Sequence, residues 1–123
     1  MPEPAKFPKP DERQSERVDA LVAAHGASRK QMFGTHSWFL DANSQMFLCL
    51  WGDEVVARVG QGEAARLVSS GETQQFEPMA GRPMREYVHV PVEEAADDES
   101  LAAWISSAAE YAAGLPPKKS KKK

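Results

Sequence analysis

Residues Met46 to Trp51 read MFLCLW, six apolar side chains in succession. An extended backbone sends alternate side chains to opposite faces, so a strand here is apolar on both. Such a strand is either central in its sheet and covered twice, or its second face meets another chain. The second alternative makes a homodimer an expectation to be tested. Gly52-Asp53 then offers a tight reversal, and Glu54 to Val59 returns as a second strand, so the two should form an antiparallel hairpin.

The surrounding segments supply helices and further strands. Asp11-Glu12-Arg13-Gln14 follows Pro10 as a helix start, with Asp11 as cap and Gln14 three residues on, as in a capping box. Val18, Leu21, Val22 and His25 continue at helical spacing while Arg13, Glu16, Arg17 and Asp19 fill the remaining positions, and Gly26 terminates the helix. Gln31-Met32-Phe33 and Trp38-Phe39-Leu40 are short apolar runs around Gly34–Ser37, and Asp41–Ser44 is a turn cluster. A short helix is predicted over Gln61–Ser70, closed by Gly71. Gln74–Phe76 reads as extended, 77–83 as loop, and Met84–Val90 as a strand ended by Pro91. The last helix starts at Asp97-Asp98-Glu99, where its dipole favours negative charge. It carries Leu101, Trp104, Ile105, Ala108, Tyr111 and Ala112 on one stripe and stops at Gly114 and Pro116.

An antiparallel sheet with an apolar face has to be covered, and three amphipathic helices can cover it. The predicted class is therefore α+β: two layers, an antiparallel sheet of about five strands covered by helices, in the order α-β-β-β-α-β-β-α. The chain of 123 residues suits one domain. Residues 1–10 carry prolines at 2, 4, 8 and 10 and read as a disordered arm; 116–123, PPKKSKKK, read as a disordered lysine-rich tail; 11–115 is the folded domain. Over the whole chain 15 Lys and Arg stand against 18 Asp and Glu, a net −3; without the five tail lysines the balance is 10 against 18, or −8. A body of that sign is repelled by phosphate backbones. Lys118, Lys119, Lys121, Lys122 and Lys123 are thus the expected place for any nucleic-acid contact, weak and blind to base sequence, although a solubilising disordered end is the preferred reading of them.

Cys49 is the one cysteine, which excludes an internal disulfide, and its apolar surroundings predict an inert, buried thiol. The amino terminus lacks an apolar signal core and no apolar run approaches the ~20 residues that span a bilayer, so the cytoplasm is the expected location. His25, His36 and His89 fall on a helix end, a loop and a strand, and are read as unconnected histidines rather than metal ligands. Gly60-Gln61-Gly62 lacks the rest of a phosphate-binding loop and reads as a helix entry. Arg29-Lys30 and Arg82 with Arg85 flank glycines in predicted loops, where function often lives. They either form a small basic site for a partner's carboxylates or a phosphate, or pair with nearby acids while Gly34 and Gly81 permit the turns. The latter is the preferred reading.

Taken in order, Arg29-Lys30-Gln31-Met32-Phe33-Gly34, Trp38-Phe39-Leu40-Asp41, Met46-Phe47, Phe76, Gly81-Arg82-Pro83-Met84, Tyr87, Val90-Pro91 and the closing Asp97–Tyr111 helix resemble the N-terminal domain of the TfoX/Sxy family. The resemblance covers about residues 15 to 113 and suggests a stand-alone copy of that domain. Named members resembling this chain in their first domain are regulators of bacterial natural competence, thought to act with a cyclic-AMP receptor protein, and carry a second, helical domain. What the resemblance implies is a two-layer α/β fold with no established catalytic residues. The expected function is a non-enzymatic regulatory or protein-interaction module with an unknown protein partner and no cofactor or metal. A small-ligand protein or enzyme with a pocket between sheet and helices is the alternative from another class.

Overall fold

A computed structural model describes residues 8–32, 34–79 and 81–117. Helix α1 spans Glu12–Val22 and runs into a 3-10 turn, Ala23–His25. Four strands follow: β1 (Ala27–Met32), β2 (Thr35–Leu40), β3 (Met46–Trp51) and β4 (Glu54–Arg58). Helix α2 (Gln61–Ser69), strand β5 (Tyr87–His89), the short α3 (Val92–Ala95) and the long α4 (Asp98–Ala113) complete the chain. The strands form one antiparallel sheet in the order β1-β2-β3-β4-β5, each paired with its neighbour in sequence. The class is thus the expected one, and β3 is the central strand.

The strands fall four before α2 and one after it, where three and two were expected. The additional early strand is β1, ASRKQM, a polar edge with too little apolar content to announce itself. After α2, Gln74–Phe76 contributes an isolated bridge, Gln75 to Val88, and β5 is shortened because Tyr87 N turns back to Met84 O (3.0 Å). The helix α3, a single turn after Pro91, was not anticipated.

Local chemistry explains the boundaries. Asp11 caps α1 by accepting from Gln14 N (2.8 Å), and Asp97 caps α4 by accepting from Ser100 N (2.9 Å). The capping box at α1 is half formed: Asp11 N is taken by Gly52 O, and the Gln14 amide donates to Asp53 O instead of returning to it. That exchange ties the start of α1 to the β3–β4 turn. Gly26 ends the first helical segment in the left-handed region (φ 66°).

The helices lie on one side of the sheet. Val18 and Val22 of α1, Ala95 of α3, and Leu101, Ile105, Ala108 and Ala112 of α4 pack against Trp38, Leu40, Leu48, Leu50, Val55, Ala57 and Val90. Ala64 and Leu67 of α2 close over Val88 beside them. On the far side, Cys49, Val56 and Tyr87 sit under Phe76 and Met84 from the segment between α2 and β5. Trp51 and Phe76 meet edge to face, 5.6 Å between centroids. The apolar run of β3 is therefore covered twice by its own chain. A register shift helps: Trp38 pairs with Leu48 but Phe39 with Met46, leaving Phe47 as an extra residue on β3. Phe47 thereby joins Leu48 and Leu50 in the helix-side core while Met46 joins the other cluster. Fully burying a side chain of this size contributes roughly 1.5–3 kcal/mol.

Gly60 precedes α2 with φ 97° and ψ 152°, a backbone region nearly closed to other residues. A Cβ there would stand 2.8 Å from Tyr111 Cε1 of α4, so the bare backbone is what lets α4 dock against the entry of α2. Gly60→Ala is expected to lower stability by about 3 kcal/mol through strain and overpacking. Gly62→Ala, inside α2 with nothing within 4 Å of the new methyl, is expected to raise it by about 0.5–1 kcal/mol. Urea unfolding of the two variants checks both signs.

Candidate functional site

The most developed polar cluster joins α1 to the first two strands. Asp19 of α1 accepts from Trp38 Nε1 with one oxygen (2.9 Å) and from Arg29 Nη2 with the other (2.7 Å). Arg29 Nη1 donates to His36 Nδ1 (2.9 Å) and lies 3.7 Å from Glu12. Arginine has donors only, so Nδ1 is the acceptor and the ring proton is carried on Nε2. Ser15, fully buried, sets its hydroxyl 2.7 Å from the same nitrogen and donates to Asp11 O (2.9 Å). By sequence Asp19 lies outside the apolar stripe of α1. Its role is set by Trp38, whose indole is buried yet still needs an acceptor for its N–H.

Of the sequence-predicted basic residues, Arg29 and Lys30 lie within strand β1 rather than in a loop, because six residues of this polar segment pair with β2. Arg29 is engaged as above; Lys30 points to the opposite face, its ammonium 5.2 Å from the centroid of Phe39. Arg82 follows a one-bridge turn, with its backbone N donating to Met79 O (2.9 Å), and Arg85 is exposed; among the described residues neither side chain forms an ion pair. The two pairs are not brought together: Arg82 and Arg85 lead into β5, and three strands separate β5 from β1. The lysines at 118, 119, 121, 122 and 123, and residues 1–7 of the amino-terminal arm, lie outside the described residues. Pro116, placed in the tail by sequence, is fastened to the body: Gln45 donates to its carbonyl (2.6 Å), as Asn43 does to Ala112 O and Leu115 O.

The histidines occupy three separate places. His25 Nε2 is 3.4 Å from Ser106 Oγ. His36 is on β2, not in a loop, since the turn before it closes at Gly34. His89 on β5 packs edge-on against Phe76 and sets Nδ1 2.9 Å from Glu54 Oε1, without the alignment of a hydrogen bond but within ion-pair distance when protonated. Among the described residues no group of three or more His, Cys, Asp or Glu is disposed to hold a metal ion. Burial pushes the Cys49 thiol up to about 12, so it stays protonated and a poor nucleophile at neutral pH. Burial likewise raises Tyr87 and Tyr111, the latter also through the nearby Glu86 carboxylate. The hydrogen bond from Arg66 lowers Glu63, and that from Ser100 N lowers Asp97.

Of these shifted groups, Cys49 and Tyr87 share the cluster under Phe76, and Tyr87 and Tyr111 flank the Arg58 guanidinium, whereas Glu63 and Asp97 lie apart at the starts of α2 and α4. One cleft, about 470 Å³ between the 3-10 turn, the end of β2 and α4, is lined by His25, Leu40, Glu110 and small residues of α4. A second, about 310 Å³, runs between α2 and α4 beside Leu67 and Trp104. Gly60-Gln61-Gly62 forms the entry of α2.

Asp19→Ala strands the Trp38 N–H and one arm of Arg29 and is expected to cost about 1–3 kcal/mol, moderated by the partial exposure of the carboxylate. Asp19→Asn keeps an acceptor for the indole and is expected to lose about half as much. Chemical denaturation with tryptophan fluorescence separates the two.

A comparison with curated proteins gives no match. No helix among the described residues is long and apolar enough to cross a membrane. The family model of the TfoX N-terminal domain matches residues 19–112, from Asp19 at the polar cluster to Ala112 near the end of α4. Those residues hold all five strands and, Val18 apart, the buried apolar core, and the chain belongs to the TfoX N-terminal domain family.

Proposed function

We propose that this domain is a non-enzymatic regulatory module that acts by binding another protein. The observation that carries this reading is how its chemically capable groups are used. Burial holds the Cys49 thiol protonated, the Tyr87 and Tyr111 hydroxyls are raised and donate to Met46 O and Glu86, and Arg29 and Asp19 are committed to each other and to Trp38 and His36. Catalysis needs such groups free to reach a substrate, and here their hydrogen bonds are taken up within the fold. Membership of the TfoX N-terminal domain family supports a regulatory, competence-associated role in general. Action beside a cyclic-AMP receptor protein is the finer form of the proposal. The charge of the body, −8 without the tail lysines, directs the search to protein rather than to nucleic acid.

Segregation of charge favours a second contribution from the tail. Five lysines on an otherwise acidic chain supply a weak, salt-dependent attraction to DNA or RNA. Removal of residues 116 to 123 is expected to abolish retention on nucleic acid at low salt; unchanged retention rejects this contribution.

Affinity capture of the full chain from its native cells, followed by mass spectrometry and reconstitution with the purified candidate, tests the main reading. A stoichiometric protein partner is the expected result. A bound small molecule in native mass spectra, with no protein partner reconstituted, would overturn it in favour of a ligand-binding protein.

A further inference from the structure

The two edges of the sheet are finished differently. Beyond β5, residues 74–76 run alongside the strand: His89 N donates to Gln74 O (3.1 Å) and Phe76 N to Tyr87 O (3.2 Å). The Gln75 amide donates to the carbonyls of Met84 (2.7 Å) and Tyr87 (3.1 Å), so this edge is occupied.

The β1 edge is different. Asp41 N donates to Gly26 O (2.9 Å), and β1 continues from there in antiparallel register with β2. Alternation along such a ladder turns the N–H and C=O of Ser28, Lys30 and Met32 toward β2 and those of Ala27, Arg29 and Gln31 away from it. Among the described residues nothing hydrogen-bonds these outward groups.

Side chains give the edge a chemical preference. On the helix side, Arg29 is already matched by Asp19 and Glu12. On the other side, Lys30 covers Phe39 and meets no carboxylate among the described residues. We infer that the outer edge of β1 is a docking edge that takes up an extended, acid-bearing segment of a partner protein as an added strand. Backbone pairing supplies the attachment and alternate side chains the selectivity, as in other strand-addition complexes. A carboxylate on the Lys30 side is favoured, whereas on the Arg29 side it would face Asp19 and Glu12, so that side takes neutral residues. A second copy of this chain fits badly: antiparallel pairing of two β1 strands about Arg29 or Lys30 sets like charges opposite each other. The amino-terminal arm fits no better, because its prolines at 2, 4, 8 and 10 lack the N–H donors a ladder needs.

This inference rests on the interaction-module reading and names what the partner must present. The test uses the full-length, isotope-labelled protein and a seven-residue peptide alternating valine with glutamate, which places every carboxylate on one face. Its controls are the lysine counterpart and a glutamate peptide N-methylated at alternate amides. The glutamate peptide is expected to shift the Ala27, Arg29 and Gln31 amides and slow their hydrogen exchange at least tenfold, and both controls to have no such effect. Lys30→Glu, at an exposed position, is expected to leave the circular dichroism unchanged and reverse the preference toward the lysine peptide. The inference is overturned by absence of protection at millimolar peptide, by equal response to either charge, or by effects centred away from β1. Dimerisation through β1 without peptide overturns it too. A reconstituted protein partner that binds Lys30→Glu as well as the parent chain removes the edge proposal and leaves the interaction module standing. Peptide discrimination at β1 without any reconstituted partner does the reverse.

Discussion

Burial of β3 on both faces is the constraint around which the domain is arranged. Leu48 and Leu50 need an apolar layer on one side, while Cys49 and Trp51 need one on the other. Helices α1, α3 and α4 provide the first, and the loop segment carrying Phe76 and Met84 provides the second. Central position follows, since neighbours on both sides also satisfy the backbone of the most apolar strand. The register shift at Phe47 adjusts the count, giving the helix side one more large side chain than strict alternation allows.

The polar groups follow from the same arrangement. Closing α1 over Trp38 buries an indole N–H, and Asp19 relieves it from the helix. The Asp19 carboxylate then recruits Arg29 across from β1, and Arg29 engages His36 on β2. A second group works at the opposite end of the strands. Arg58 reaches Glu86, Gln45 and Met46 O, while Tyr111 of α4 also donates to Glu86. Both clusters consume functional groups to hold layers in register. What is left for recognition is backbone and exposed charge, which is why the unpaired edge of β1 carries more weight here than the clefts do.

Much of this was legible in the chain itself. The cap at Asp11, an acidic cap at Asp97 or Asp98, the stops at Gly26 and Gly71, the β3–β4 hairpin and the stripe of α4 all rest on local rules: side-chain oxygens near orphan amides, left-handed glycine, and periodicity. Strand β1 was harder to see, since ASRKQM is polar and is a strand because β2 pairs with it, not because of its own composition. For the same reason Arg29 and Lys30 read as loop residues. His36 was displaced from its expected loop by the same pairing, and Asp19 lies outside the apolar stripe of α1 with its partner 19 residues ahead.

The sequence by itself determined the class of the fold, the apolar character of β3 on both faces and the buried setting of Cys49, because burial, capping and turn formation depend on residues close in the chain or on apolar content alone. Tertiary structure decided which face of β3 received helices and which received a loop, which carboxylate met Arg29, and which edge of the sheet stayed open. Those outcomes depend on contacts between residues far apart in sequence, such as Asn43 with Ala112 or Arg17 with Asp98, and no local pattern encodes such distances.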